Sequence, residues 1–332
     1  MAAAGTDTLQ SEHRALRSGA GVIDRSERGR LALTGPDARE FLNGQVTNEL
    51  DGLLPGEGRY AAFLTHKGKM LGDLRILAVA GAEEGSVELL LDTERPALQA
   101  LFDMIRRFKV GYRVELHKRT LETGQIALIG PRADELAGVE ELAAQEHSNR
   151  AGEIDGVSVL AVRSDIGIEL ICASSDTERL LDALCRRGAV AVGEAAAECL
   201  RIELGRPRYG IDLDETVIPQ EAGLNERAVS FTKGCYVGQE TVARLFYKGK
   251  PNRHLRGLRL SGPALAGDGL RLGERAVGEL TSVADSPTFG PIGLALVRRE
   301  AELGATVEVA EAGVLGVVTE LPFAGARAPL EP

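Results

Sequence analysis

Residues 233–244, Lys-Gly-Cys-Tyr-Val-Gly-Gln-Glu-Thr-Val-Ala-Arg, set one thiol, Cys235, among cations, glycines and the amide–carboxylate pair Gln239–Glu240. Gly234 and Gly238 permit tight turns or the close approach of a ligand. Lys233, two residues before Cys235, favours the thiolate, so the segment predicts a reactive cysteine beside a cleft with Lys233 or Arg244 lowering its pKa. The plainer alternative makes Cys235 a small buried apolar residue. On that alternative, Gln239, Glu240 and Arg244 form a hydrogen-bonded helix start or a surface ion pair.

Four more residues can do chemistry. Asp73 follows a turn, His66-Lys67-Gly68-Lys69, inside an otherwise apolar strand. An unpaired carboxylate is costly there, so Asp73 must face water, a cation or a ligand, with Arg75 or a surface lysine as the structural partner. Glu169, in Asp-Ile-Gly-Ile-Glu-Leu from Asp165 to Leu170, fits the polar outer face of a half-exposed strand equally well. Arg201 fits equally well a helix-surface arginine paired with Glu198 or Glu203. Tyr60 sits on a strand, where a tyrosine usually joins the core.

The segment Lys233–Arg244 resembles the signature of the YgfZ-type proteins, folate-binding relatives of the T-protein of the glycine cleavage system. Twelve residues with Lys, Gly, Cys, Gly, Gln, Glu and Arg at fixed places are far more specific than a lone glycine motif. The likeness continues through residues 33–37, 41–48, 60–77 and 200–210, nearly the whole chain. It implies an α+β, T-protein-like folate-binding fold, with interleaved domains followed by a C-terminal β-barrel around a central opening. It also implies tetrahydrofolate or a derivative as cofactor. Asp73 and Glu169 would then face the pterin, a carboxylate accepting two parallel N–H bonds from its aminopyrimidinone edge. Tyr60 would stack on the ring, and the Arg201 fork would meet the anionic glutamate tail. Where T-proteins carry two adjacent aspartates, this chain keeps the second, Asp73, and has Gly72 in place of the first. That departure, with Cys235, weighs against a folate-dependent one-carbon (aminomethyl or methyl) transferase. It favours a tetrahydrofolate-binding accessory factor for assembly or repair of iron–sulfur proteins, with a required motif cysteine. Clients in that family include radical enzymes that modify tRNA. A scaffold with a relict pocket is the third alternative.

The elements that must position these residues follow from periodicity. Arg30 to Leu33 reads as a strand, then a helix begins at Gly35-Pro36-Asp37, with Pro36 where a missing N–H costs nothing. Tyr60–Thr65 and Met70–Val79 form a hairpin carrying Asp73. Strands follow at Val87–Leu91, Tyr112–Leu116, Gln125–Ile129, Val157–Val162 and Gly167–Ile171, with helices at Arg95–Phe108, Ala133–Leu142, Asp176–Arg187 and Ala195–Leu204. Beyond Pro251, short Val/Leu runs alternate with Gly and Pro turns, which predicts a small barrel. The division is thus 1–250, an α+β region that the resemblance makes folate-binding with two interleaved domains, and 251–332, the barrel.

At 332 residues the chain exceeds one ordinary core. With 39 Lys+Arg against 49 Asp+Glu and no Trp, it lacks the cationic face and stacking platforms of a nucleic-acid binder. One local exception is the acid-free stretch from Thr241 to Gly267, which holds Arg244, Lys248, Lys250, Arg253, Arg256 and Arg259. It is either a solvated linker or a strip for an anionic partner. Cys172, Cys185, Cys199 and Cys235 are widely spaced and the five histidines scattered, so no metal ligand set is visible. No signal or membrane-span pattern occurs, and free thiols fit a reducing cytoplasm. The partners expected are a reduced folate and iron–sulfur clients or their assembly machinery, without nucleic acid or membrane.

Overall fold

The computed structural model describes residues 2–81, 83, 85–310 and 313–326. It is an α+β fold of two sheets and a closed barrel. The first sheet is antiparallel and runs, edge to edge, Gly58–Leu64, Met70–Ala80, Val87–Thr93, Gly29–Thr34 and Glu115–Lys118. Alternation along these strands buries Leu31, Leu33, Ile76 and Leu91 under Phe41 and Leu42 of the helix Ala38–Asn43 and Leu101 and Ile105 of the helix Leu98–Phe108.

The second sheet runs Val190–Ala191, Gly21–Asp24, Thr123–Ile129, Gly167–Ala173, Val157–Ser164 and Asn149–Ile154. Leu180, Ala183 and Leu184 of the helix Thr177–Arg186 cover it. The chain lays down Gly21–Asp24 in this sheet, leaves to build the whole first sheet, and returns at Thr123, so the two units are interleaved. They meet through Ala32, Leu77 and Leu90 on one side and Val162 and Ile171 on the other.

Six strands between Arg253 and Thr319 close the barrel around Leu258, Leu270, Val277, Leu280, Val307 and Val318. The helix Glu194–Glu203 joins it to the sheets, its Ala196 and Leu200 packing with Ile292, Leu294 and Phe323.

Two boundaries and one element differ from expectation. The strand expected at Tyr112–Leu116 begins at Glu115, because the Tyr112 and Val114 amides donate to the carbonyls of Lys109 and Tyr112 in tight turns. The helix expected to reach Leu142 stops at Ala137, where Gly138 takes a left-handed φ of 63°. The helix Ala2–Ser18 was not expected from the sequence. Among the described residues, no helix is long and apolar enough to cross a membrane.

Candidate functional site

A pocket of about 230 Å³ opens between the two sheets and the helix Glu194–Glu203. Seven arginines and seven carboxylates line it. Each arginine is paired within the protein, and six of the carboxylates have an arginine within 4.0 Å. The exception is Asp73, which has no ion-pair partner among the described residues.

Hairpin register explains Asp73's position. Ala62 pairs with Asp73 and Tyr60 with Arg75, so Tyr60, Asp73 and Arg75 share the pocket face, and the Tyr60 hydroxyl donates to Asp73 Oδ2 at 2.7 Å. Burial pushes the Asp73 carboxyl up to about 6; the Tyr60 bond opposes this, and nearby Glu94 adds to it. Burial, reinforced by Asp73, holds the Tyr60 hydroxyl well above its usual range. A carboxyl poised near neutrality can accept or return a proton at a ligand nitrogen. Its neighbour Gly72 faces the opposite way. A Cβ there would lie 2.5 Å from Ala97 Cβ and 2.6 Å from Phe63 Cε1. The missing first aspartate therefore removes no carboxylate from the pocket: position 72 belongs to the core.

Glu169 enters from the other sheet. Gln125 Nε2 donates to Glu169 Oε2 at 2.5 Å, while Glu169 Oε1 lies 3.9 Å from Arg75 Nη1. Arg30, fully buried, donates to Gln125 Oε1. Because Arg30 can only donate, the amide is fixed with its NH₂ toward Glu169. His147, which sequence reasoning missed, lines the same pocket with a left-handed φ of 69°. Burial lowers its pKa to about 3, with Arg75 and Arg227 contributing, so the imidazole is neutral. Gln125 carried a signal, a polar residue in an apolar strand; His147 carried none.

Arg201 lines the pocket, but its guanidinium is already engaged. It donates to Glu198, to Asp212 at 2.6 Å, to Ser282 at 2.7 Å and to the Arg206 carbonyl at 2.7 Å, which occupies all five N–H groups. The fork expected for an anionic tail is instead a bolt between the helix Glu194–Glu203, the following loop and the barrel. Arg227 stands 5.6 Å above the Tyr60 ring and takes up one of its faces.

The motif segment lies elsewhere. Lys233 is buried, and its ammonium donates to the carbonyls of Asn43, Val46 and Asn48 at 2.7, 2.9 and 2.6 Å. Burial lowers it to about 8. Committed to three carbonyls, it acts as an anchor for residues 43–48, which corrects the expectation that it activates the thiol. Tyr236 is buried against Leu64, Met70 and Val242. Gly238 adopts a φ of 85°, and a Cβ there would meet the Thr65 carbonyl at 2.6 Å, so only glycine allows this helix start to sit on the hairpin turn. The Gln239 amide reaches the Gly234 carbonyl at 3.5 Å, while Glu240 and Arg244 are exposed on the helix Gln239–Lys248.

Between those anchors Cys235 is exposed, and a Cβ at Gly234 would meet nothing within 4 Å. The alternative of a buried apolar cysteine is overturned. Of the described residues lining the pocket, none comes from the motif. The cationic stretch is also divided. Arg253 pairs with Glu221 at 3.0 Å and Arg259 lies over Phe289 and Phe323, which leaves Arg244, Lys248 and Lys250 exposed.

Comparison with known proteins matches residues 3–233 to the GCVT N-terminal domain and residues 253–324 to the glycine cleavage T-protein C-terminal barrel domain. An aminomethyltransferase of Corynebacterium jeikeium is 30% identical over 337 residues, covering 90% of this chain and 85% of the relative. A putative chloroplastic transferase of Arabidopsis thaliana is 30% identical over 326 residues, covering 95% of this chain and 74% of the relative. The crystal structure of the glycine cleavage system aminomethyltransferase T from Bartonella henselae superposes with a TM-score of 0.84 at 25% identity, covering 96% of this chain and 90% of that one.

Proposed function

Because the chain belongs to the glycine cleavage T-protein family, we propose that its pocket binds tetrahydrofolate or a derivative and that it is a YgfZ-type accessory factor for assembly or repair of iron–sulfur proteins. Glu169, oriented by Gln125, receives the aminopyrimidinone N–H groups, and Asp73 meets a ring nitrogen from the opposite sheet. Cys235 is the client-facing thiol. The observation that carries this reading is the division of the chemistry: the carboxylates lie inside a pocket, the thiol lies outside it in the open, and one hairpin joins them. Tyr60 and Asp73 stand on its strands, and Gly238 packs on its turn.

A second reading, a folate-dependent one-carbon transferase, is favoured by Asp73 alone, a pocket-facing carboxyl held near neutrality.

The first measurement tests the pocket that both readings share, and the second separates them. Calorimetry with tetrahydrofolate should give saturable heat, and Glu169→Ala should weaken binding by about 1.5–3 kcal/mol, as loss of a charged hydrogen bond does. No heat at millimolar ligand would remove the pocket assignment. A deletion strain should then lose iron–sulfur enzyme activity and regain it with the wild type but not with Cys235→Ala. Full rescue by Cys235→Ala, with consumption of an aminomethyl donor by the purified protein, would make the transferase the better reading.

A further inference from the structure

We propose that His13, Cys199 and Glu203 form a buried structural zinc site that pins the helix Ala2–Ser18 to the helix Glu194–Glu203 and the barrel. Cys199 and Glu203 are one turn apart, so both project from one face of their helix, and His13 meets them from a segment 190 residues away in sequence. Their donor atoms all lie within 4.8 Å of one another. His13 Nε2 is 2.9 Å and Cys199 Sγ 3.7 Å from Glu203 Oε1. All three residues are buried, and Glu203 is wholly inaccessible.

Hydrogen bonding alone leaves this cluster incomplete. His13, Cys199 and Ser286 all direct themselves at Glu203 Oε1, while Oε2, equally buried, has no hydrogen-bond partner. A buried carboxylate with an unused oxygen is expensive, and a cation relieves it. The mixed nitrogen, sulfur and oxygen set suits zinc; magnesium and calcium require oxygen cages. On binding, the Cys199 thiol gives its proton to solvent as the sulfur–zinc bond forms. Thiolate and carboxylate then neutralise the ion, with neutral His13 as third ligand. The Ser286 hydroxyl already donates to Glu203 and accepts the amides of Thr288 and Phe289, so Glu203 Oε2 is the fourth donor atom. With four protein donor atoms and all three residues buried, the site is of the closed, structural kind rather than a catalytic one.

The test is refolding of the full chain with Zn²⁺ or Co²⁺, followed by gel filtration, metal analysis and absorption spectroscopy. One bound ion per chain is expected, with a thiolate-to-cobalt charge-transfer band in the wild type. Cys235→Ser should keep both signals and Cys199→Ser should lose the band, while zinc loading should raise the melting temperature. The proposal is overturned if wild-type protein refolded with either ion retains none. It is equally overturned if the band survives in Cys199→Ser or disappears in Cys235→Ser, which would place the ion on the surface thiol. If Cys199→Ser does not fold, the wild-type and Cys235→Ser cobalt spectra together decide the matter: a band kept in Cys235→Ser supports the buried site and a band lost there overturns it.

Discussion

Asp92 and Asp73 stand on adjacent strands of one sheet, are both buried, and have opposite chemistry. Asp92 is clasped by Arg28, whose Nε lies 3.0 Å from Oδ2, and by Arg75, whose Nε lies 2.8 Å from the same oxygen, with Arg30 at 3.9 Å from Oδ1. Burial alone would raise its carboxyl, yet Arg28 and Arg75 hold it far below the ordinary aspartate range. Asp73 accepts one neutral hydroxyl, and burial prevails. The difference is one of partners rather than depth. A carboxylate that organises three arginines is frame, whereas one left without a cation at a pocket wall is available to a ligand.

The largest effect should come from breaking the frame. Asp92→Ala leaves the fully buried Arg30 without a carboxylate and strips Arg28 and Arg75 of a close one, and should cost about 3–5 kcal/mol in chemical denaturation. Asp73→Ala should cost far less; equal losses would abolish the distinction. Next comes the buried end of the motif. Lys233→Met strands carbonyls of residues 43–48 that now share one ammonium, and should cost about 2–3 kcal/mol, read as a lower denaturation midpoint. A neutral outcome would mean water replaces the ammonium easily.

The same contrast explains what the sequence could disclose. The hairpin, the helix Leu98–Phe108 and the barrel were legible because apolar spacing and turn residues are local. Asp73 and Glu169 were legible as polar interruptions of apolar strands, and the structure brings both to one pocket. Arg201 was ambiguous between Glu198 and a ligand, since no local pattern reveals Asp212 and Ser282 arriving from the loop and the barrel. Lys233 misled because proximity in sequence to Cys235 implied proximity of charge; its ammonium instead turns to carbonyls nearly 190 positions earlier. The grouping of His13 with Cys199 and Glu203 has the same non-local origin.

Asp73 sharpens the comparison through pH. Its folded pKa of about 6 lies above the ordinary 3.8, so the native state disfavours the charged form. Asp73's contribution to stability should therefore be greatest below the unfolded value and fall as pH rises from about 4 to about 6, by about 3 kcal/mol in all. Asp73→Asn cannot ionise. It should match the wild type near pH 4 and exceed it by about 1–3 kcal/mol above pH 6, measured as the difference between two urea-denaturation series. A difference that does not change with pH would place Asp73 among ordinary, solvated carboxylates.

The smallest stability effect belongs to Cys235. It is exposed, the glycine before it has open space around it, and the anchors on either side, Lys233 and Tyr236, are independent of its sulfur. Cys235→Ala should shift unfolding free energy by less than about 0.5 kcal/mol, the range for surface substitutions. Tetrahydrofolate binding should be unchanged, because the thiol lines no part of the pocket. Stability and ligand affinity measured on the same variant test whether the exposed thiol is independent of the folate machinery. A loss of affinity with stability intact would show that the hairpin turn under Gly238 transmits changes between them, and the division between frame, pocket and surface thiol would have to be redrawn along that hairpin.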